Sequence, residues 1–328
     1  GIDEIVLFHN GKLLETTNRG FKPAIEVGSV RRQTFRLSLV SGSNLLKIVA
    51  FNKDRTESLP AELSISYSSV DNSKPDLYLF VVGINNYENS RYNLNYAVAD
   101  ADGFRNLMVS NGSSLYREIK VTYLTNSDAV KSRISESVNV IKKSARKQDV
   151  FIFYYAGHGV MSVEEKPLYY LVLQNITQMT SVSQLQNSGL SASELKKISQ
   201  EILCQKQVFI LDACQSAGAV EVLAARGAAE EQAIAQLARS TGTYWLMASN
   251  VDQFAAEFDQ LGHGIFTYCL LEGLSGKADG QKDKRVTINE LSTYLNISVP
   301  ELSKKHKNNA QYPNSFGYGQ DFPIIMTK

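Results

Sequence analysis

From Glu4 to Ser68 apolar and polar residues alternate with the period of two that half-buried strands require. The runs are Glu4-Ile5-Val6-Leu7-Phe8, Thr34-Phe35-Arg36-Leu37-Ser38-Leu39, Leu45-Leu46-Lys47-Ile48-Val49-Ala50-Phe51 and Leu63-Ser64-Ile65-Ser66-Tyr67. Asn10-Gly11 and Ser41-Gly42-Ser43-Asn44 separate them with turn chemistry. This predicts a small, all-β, sandwich-like domain over residues 1–74, closed by a polar linker from Ser68 to Pro75. Beyond it the pattern changes. Continuous apolar runs at Leu77–Val82, Ile119–Leu124, Val150–Tyr155, Leu168–Leu173, Val208–Leu211 and Tyr244–Ala248 predict buried strands. Helical patterns lie between most of them, over 96–108 and 228–238, and further on over 264–274 and 287–295. Such alternation predicts an α/β domain over 75–328, with a mostly parallel sheet flanked by helices. In that architecture ligands gather at the carboxyl ends of the strands.

Composition narrows the function without naming it. With 34 basic and 33 acidic residues the formal charge is +1, so no global field favours nucleic acid or an anionic membrane, and neither is expected as a partner. The three cysteines, Cys204, Cys214 and Cys269, form no CxxC pair and no zinc-finger spacing, so neither a disulfide framework nor a metal is expected. No window is long and apolar enough to cross a membrane, and residues 1–20 lack the pattern of a signal peptide. A soluble, cytoplasmic chain is expected. Because it starts Gly-Ile-Asp and passes almost at once into a strand-like run, it is read as a piece of a longer protein.

Two of the buried runs lead into reactive side chains. Val150–Tyr155 is followed by Ala156-Gly157-His158-Gly159, and Val208–Leu211 by Asp212-Ala213-Cys214-Gln215-Ser216. If both strands share one parallel sheet, His158 and Cys214 meet at its rim. A thiol with a pKa of about 8.5 is only slightly ionised at neutral pH, and a neighbouring imidazole activates it and later protonates the leaving group. The N–H groups of Gly159 and Cys214 are candidate donors to an oxyanion, and the glycines at 157 and 159 let the backbone approach a substrate. Cys204 and Cys269 are assigned to packing. His263 lies in a second Gly-His-Gly triplet but precedes a helix, so a local structural role is expected; His9 and His306 are expected to be exposed.

Tyr154-Tyr-Ala-Gly-His-Gly159 and Asp212-Ala-Cys-Gln-Ser216, in this order and spacing, resemble the two catalytic motifs of the caspase, metacaspase and paracaspase peptidases. Val82-Gly83-Ile84-Asn85-Asn86-Tyr87, Leu94 through Ala101, and Ala248-Ser249-Asn250 with Gly262–Thr267 extend the likeness over about residues 76–274. The resemblance implies a caspase-like fold and a cysteine endopeptidase acting on protein or peptide, with Cys214 as nucleophile and His158 as acid and base. It also implies an upstream sensor domain or an activating partner. A non-catalytic scaffold of the same fold, or peptide ligation on the same dyad, are the alternatives.

Within that family caspases read aspartate at P1, the residue before the cut, and metacaspases read arginine or lysine. Asp212 stands where metacaspases have aspartate and caspases glutamine. Asp100 falls where metacaspases place a second carboxylate of the P1 pocket, S1, and Leu94 where a caspase presents arginine. Two carboxylates attract a guanidinium fork over the point charge of lysine and repel aspartate. Arg91, in the same loop region, would weaken that selectivity if it pointed inward. Calcium activation, known from metacaspases, is not expected: 160–177 carries only Glu164 and Glu165, and Glu221 is the first acid after Cys214. The interval 215–242 corresponds to the family's processing linker. Arg226 before Gly227 is the candidate for self-cleavage, with Arg239 second.

Overall fold

The period-two alternation of the N-terminal part becomes antiparallel strands in the computed structural model. It describes residues 2–14, 22–27, 30–54, 56–68, 73–164, 167–215, 232–235, 237–239, 241–248, 257–258, 262–307 and 311–327, with the backbone alone at 22–27, 30–31, 214–215, 257–258 and 307. Strand β1 (Ile2–His9) turns through Asn10-Gly11 into β2 (Lys12–Leu14). Those two residues have φ of 52° and 88°, the left-handed pair that a two-residue hairpin turn needs. Next come β3 (Lys22–Val27) and β4 (Val30–Thr34), paired with each other, then β5 (Gly42–Asn52) and β6 (Ala61–Tyr67). One antiparallel sheet takes the order β2-β1-β5-β6. The strand expected over 34–39 is not formed; β4 ends at Thr34, opposite Lys22 at the start of its partner. Alternation without a neighbouring backbone to bond makes no ladder.

The unbroken apolar runs that follow become inner strands. In chain order these are β7 (Leu77–Gly83), α1 (Ala97–Asn111), β8 (Ile119–Thr125), α2 (Lys131–Ser144), β9 (Val150–Met161), β10 (Tyr169–Leu171), α3 (Val182–Ser188), β11 (Leu190–Ser191), α4 (Ala192–Glu201), β12 (Lys206–Gln215) and β13 (Tyr244–Met247). After them stand β14 (Glu257–Phe258), β15 (His263–Gly264), α5 (Ile265–Glu272), β16 (Arg285–Thr287), α6 (Ile288–Lys307), β17 (Asn314–Gly317) and β18 (Pro323–Met326). Residues 232–235 and 237–239 are helical, reaching one residue past the end of the predicted 228–238. The central sheet runs parallel through β8-β7-β9-β12-β13, with β17 antiparallel on β13 and β10 antiparallel on the far end of β9. Val150, Ile152, Tyr154 and Ala156 of β9, with Val208 and Ile210 of β12, pack under α1, α5 and α6. The alternate residues Phe151, Phe153, Tyr155, Phe209, Leu211 and Ala213 pack under α2 and α4. This is the helix-covered, mostly parallel sheet that the apolar runs predict.

Register decides what the sheet exposes. Strand β7 stops pairing with β9 at Gly83–Ala156, and β13 stops pairing with β12 at Met247–Leu211. The ladder between β9 and β12 continues past both, to Gly159–Gln215. Two inner strands therefore overhang their parallel neighbours. His158 and Cys214 lie on these overhanging ends, within the last rungs of pairing between β9 and β12.

The N-terminal sheet is joined to the segment before β12 by buried polar groups. His9, expected to be exposed, is fully buried, whereas His306 is partly exposed. Its burial follows from a chain of amides with each donor fixed. Asn10 Oδ1 accepts from Leu45 N–H, so Asn10 Nδ2 donates to Gln205 Oε1 (2.8 Å) and Gln205 Nε2 donates to His9 Nδ1 (2.6 Å). His9 Nε2–H then donates to Asn44 Oδ1 (2.7 Å), which also accepts from Val40 N–H. Only the neutral ring can accept at Nδ1. Burial lowers the pKa of His9 below 6.5, partly opposed by the bond to Asn44 and assisted by Lys147. A base with a depressed folded pKa contributes fully above 6.5, and its contribution falls as pH drops below that value because the unfolded chain takes the proton first. His9→Gln should lose roughly 1–3 kcal/mol at neutral pH, and the gap to wild type should narrow on acidification in urea unfolding. A gap that stays constant from about pH 7.5 to 5 would show that His9 is not linked to folding.

Candidate active site

His158 is held from four sides at the overhanging end of β9. Its N–H donates to Tyr87 Oη (3.0 Å), and its C=O accepts from Val172 N–H (2.8 Å) and Tyr155 Oη (2.9 Å). Its ring Nε2 lies 2.8 Å from the carbonyl oxygen of Tyr92. A carbonyl can only accept, so Nε2 carries the hydrogen and, in the neutral ring, the lone pair sits on Nδ1. The Tyr87 ring tilts against the imidazole at 5.0 Å between centroids, and Tyr92 meets it edge-on at 6.4 Å. Only 7% of His158 is exposed.

The loop after β7 is shaped to deliver that carbonyl. Asn126 Oδ1 accepts from the N–H of Asn85 (3.0 Å) and of Asn86 (2.9 Å), and Asn93 Oδ1 accepts from Tyr87 N–H (2.9 Å). A single 3-10 turn, Ser90–Tyr92, is capped by Asn89, whose Oδ1 accepts from Arg91 N–H. Short polar side chains thus satisfy backbone groups that no ladder reaches. Sequence reasoning placed Tyr87 in a motif and passed over Tyr92. The crowding of asparagine and tyrosine from Asn85 to Tyr96 was the available signal.

Cys214 is the Cα register partner of His158 across the β9–β12 ladder, where neighbouring strands run about 4.8 Å apart. Because His158 turns both its N–H and its C=O away from β12, the N–H of Gly159 faces β12. A Cβ at Gly159 would collide with Tyr169 Oη. The glycine is therefore also required by packing against β10, a reason the sequence did not suggest.

Asp212 and Asp100 come from distant parts of the chain to one place. Asp212 follows Val208 and Ile210 on the face of β12 that α1 and α5 cover, and Asp100 lies in the first turn of α1. Gly264, the N-cap of α5, lies between them: a methyl group there would stand 3.1 Å from Asp100 Oδ2 and 3.4 Å from Asp212 Oδ2. Gly264 N–H donates to Asp100 Oδ1 (3.1 Å), while Thr267 Oγ1 donates to Asp212 Oδ2 (2.6 Å) and pairs with Tyr154 Oη (2.6 Å). With Thr267 donating to Asp212, the Tyr154 hydroxyl donates to Thr267. Burial, and then the charge of Asp100, push the Asp212 carboxyl up to about 7, against the stabilising bonds from Thr267. His263 is also part of this cluster. Its Nδ1 lies 2.9 Å from Asp100 Oδ1, where the sequence suggested only a local structural role.

The remaining predicted positions separate clearly. Cys204 and Cys269 are buried, and burial raises each thiol to about 12, with Glu272 adding to the rise at Cys269. Neither is ionised enough to act as a nucleophile. Arg91 is exposed, and Leu94 packs partly buried against both cores. Arg239 forms an ion pair with Glu57. Arg226 lies outside the described residues, as do Glu165 and Glu221. Among the described residues no group of three or more His, Cys, Asp or Glu side chains is placed to hold a metal ion, and no helix is long and apolar enough to cross a membrane.

Comparison with known proteins agrees with this architecture. A crystal structure of protein GSU0716 from Geobacter sulfurreducens superposes with a TM-score of 0.51 over 77% of this chain and 100% of its own, at 15% identity. At that identity the likeness is one of fold. No curated protein matches the chain. The family model described as Caspase domain matches residues 78–317, which span β7 to β17 and hold both the His158 and the Asp212–Cys214 segments. The chain therefore belongs to the caspase-domain family and carries a domain of the cysteine-peptidase kind.

Proposed function

We propose that this chain is a cysteine endopeptidase with Cys214 as nucleophile and His158 as acid and base, cutting after arginine in preference to lysine. The observation that carries the reading is the register of β9 and β12, which sets Cys214 opposite His158 where the flanking strands have ended.

The chemistry runs through the atoms already named. His158 Nδ1 takes the thiol proton, and the thiolate attacks the carbonyl carbon of the scissile bond. The Tyr92 carbonyl, bonded to Nε2–H, keeps the ring in that tautomer and stabilises the imidazolium. The oxyanion is received by the N–H groups of Gly159 and Cys214. Both belong to the last rungs of the β9–β12 ladder, so the reading requires those rungs to open when substrate enters. The imidazolium then protonates the leaving amine, leaving a thioester that water hydrolyses with His158 as base. Asp100 and Asp212 form the floor of S1, where two carboxylates accept a guanidinium with charge-assisted bonds. Self-processing within 215–242 follows from the same preference, at Arg226 rather than at Arg239, whose guanidinium is already engaged.

Peptides that differ only at P1, as Arg, Lys, Asp or Asn, test this directly. Turnover should be highest for Arg, then Lys, and undetectable for Asp and Asn. Turnover after Asp alone would overturn the S1 assignment and leave the Cys–His chemistry standing. An unchanged fragment pattern in Arg226→Ala would rule out the processing site.

A further inference from the structure

The imidazole of His263 has no part in the chemistry above, yet it lies against one of the two carboxylates. We infer that His263 is a positioning residue of the S1 pocket, its Nδ1–H holding Asp100 so that the acid pair presents a fixed fork to a P1 guanidinium. This rests on the reading of Asp100 and Asp212 as the S1 acids.

Three observations carry it. First, Asp100 Oδ1 accepts from His263 Nδ1 at 2.9 Å, the Gly264 N–H is shared between Asp100 Oδ1 at 3.1 Å and Oδ2 at 3.2 Å, and a Cβ at Gly264 would stand 3.1 Å from Asp100 Oδ2 and 3.4 Å from Asp212 Oδ2. Second, the ring has a seat built for it on α1. Gly103, one turn after Asp100 on the same helix face, would with a Cβ stand 2.9 Å from His263 Cε1, closer than real Cβ atoms come. The missing side chain at 103 lets the imidazole lie over the helix with Nδ1 at the carboxylate. Third, Asp100 is nearly buried, its side chain 6% exposed against 24% for His263, so its orientation is set by these bonds and not by water.

The geometry separates two ligand chemistries. A guanidinium needs both carboxylates at fixed spacing to use its planar fork, whereas an ammonium is a point charge that tolerates a carboxylate that swings. Loosening Asp100 therefore costs arginine more than lysine. It leaves the bond-breaking step alone, because the role proposed for His263 is confined to its bond with Asp100.

The test exploits which nitrogen bonds. An asparagine amide reaches where Nδ1 stands, and a glutamine amide where Nε2 stands. On P1-Arg peptides His263→Gln and His263→Leu should raise KM about tenfold with kcat within about twofold, and the Arg-to-Lys ratio of kcat/KM should fall about fivefold. His263→Asn should return both to within about threefold of wild type. Gly103→Ala should reproduce the glutamine phenotype by displacing the imidazole with His263 itself unchanged, although alanine favours the helix. Each variant is compared at matched melting temperature. His263→Asn behaving like His263→Gln, or all variants matching wild type, would overturn the proposal. Wild type that fails to turn over P1-Arg peptides would instead sink the S1 reading beneath it, a failure visible before any variant is made.

Discussion

Alanine at Cys214 should lower kcat/KM on a P1-Arg peptide by at least about 10⁴-fold, the scale seen when an acyl-transfer nucleophile is removed. His158→Ala should fall to the same floor, and the double variant no further, because nucleophile and base act as one unit. Stability separates the two. Cys214→Ala should unfold within about 1 kcal/mol of wild type, because its place in the β9–β12 ladder is made by backbone. His158→Ala should lose about 1–3 kcal/mol more, since it leaves the Tyr92 carbonyl without its buried donor. Thiol labelling gives an independent check. Iodoacetamide at neutral pH should alkylate Cys214 and spare Cys204 and Cys269, whose thiols are buried and pushed up to about 12. Equal labelling of all three, or residual turnover by Cys214→Ala above a hundredth of wild type, would remove Cys214 from the mechanism.

The second large effect belongs to Asp212. Asp212→Asn should cost about 10²–10³-fold in kcat/KM for P1-Arg, the range for truncating one partner of a buried, hydrogen-bonded charge pair. Asp100→Asn should do the same for arginine but with less loss for lysine. The pH dependence has a definite sign. Burial and the neighbouring Asp100 raise the Asp212 carboxyl to about 7, so the pocket carries its full negative charge only above that pH. KM for P1-Arg should therefore fall as pH rises through about 7 and level off beyond it. In Asp100→Asn one of the two raising causes is gone, and the transition should move to lower pH while burial keeps it above the normal carboxylate range. A KM that is flat between about pH 6 and 8 in wild type would mean that neither carboxylate meets the substrate cation.

The acid pair shows how far residue types can be read before a fold is known. Asp212 was reached by resemblance, through its place two residues before Cys214, and strand periodicity keeps i and i+2 on one face. Asp100 was reached by resemblance, and the distance to Asp212 was not available, since it depends on α1 and α5 packing on the same side of the sheet. His263 was assigned to local structure because it precedes a helix. Its contact with Asp100 spans 163 positions and has no local signature. His9 was misjudged for the same reason. A histidine in a polar-looking turn region reads as exposed until Gln205, from the other part of the chain, closes over it.

Sequence alone determined the period-two strands of the N-terminal part, the buried parallel strands that follow, and the order of the histidine and cysteine motifs. These depend on local periodicity and residue chemistry, which a linear chain carries in full. Only the tertiary structure decided that β9 and β12 outrun their neighbours, that the Tyr92 carbonyl fixes the tautomer of His158, and that Asp100 of α1, bonded by His263 and Gly264, comes beside Asp212 of β12, bonded by Thr267. Each of these is a contact between distant segments, set by register and helix packing, and the free energy that selects it is summed over the whole core rather than written at any one residue.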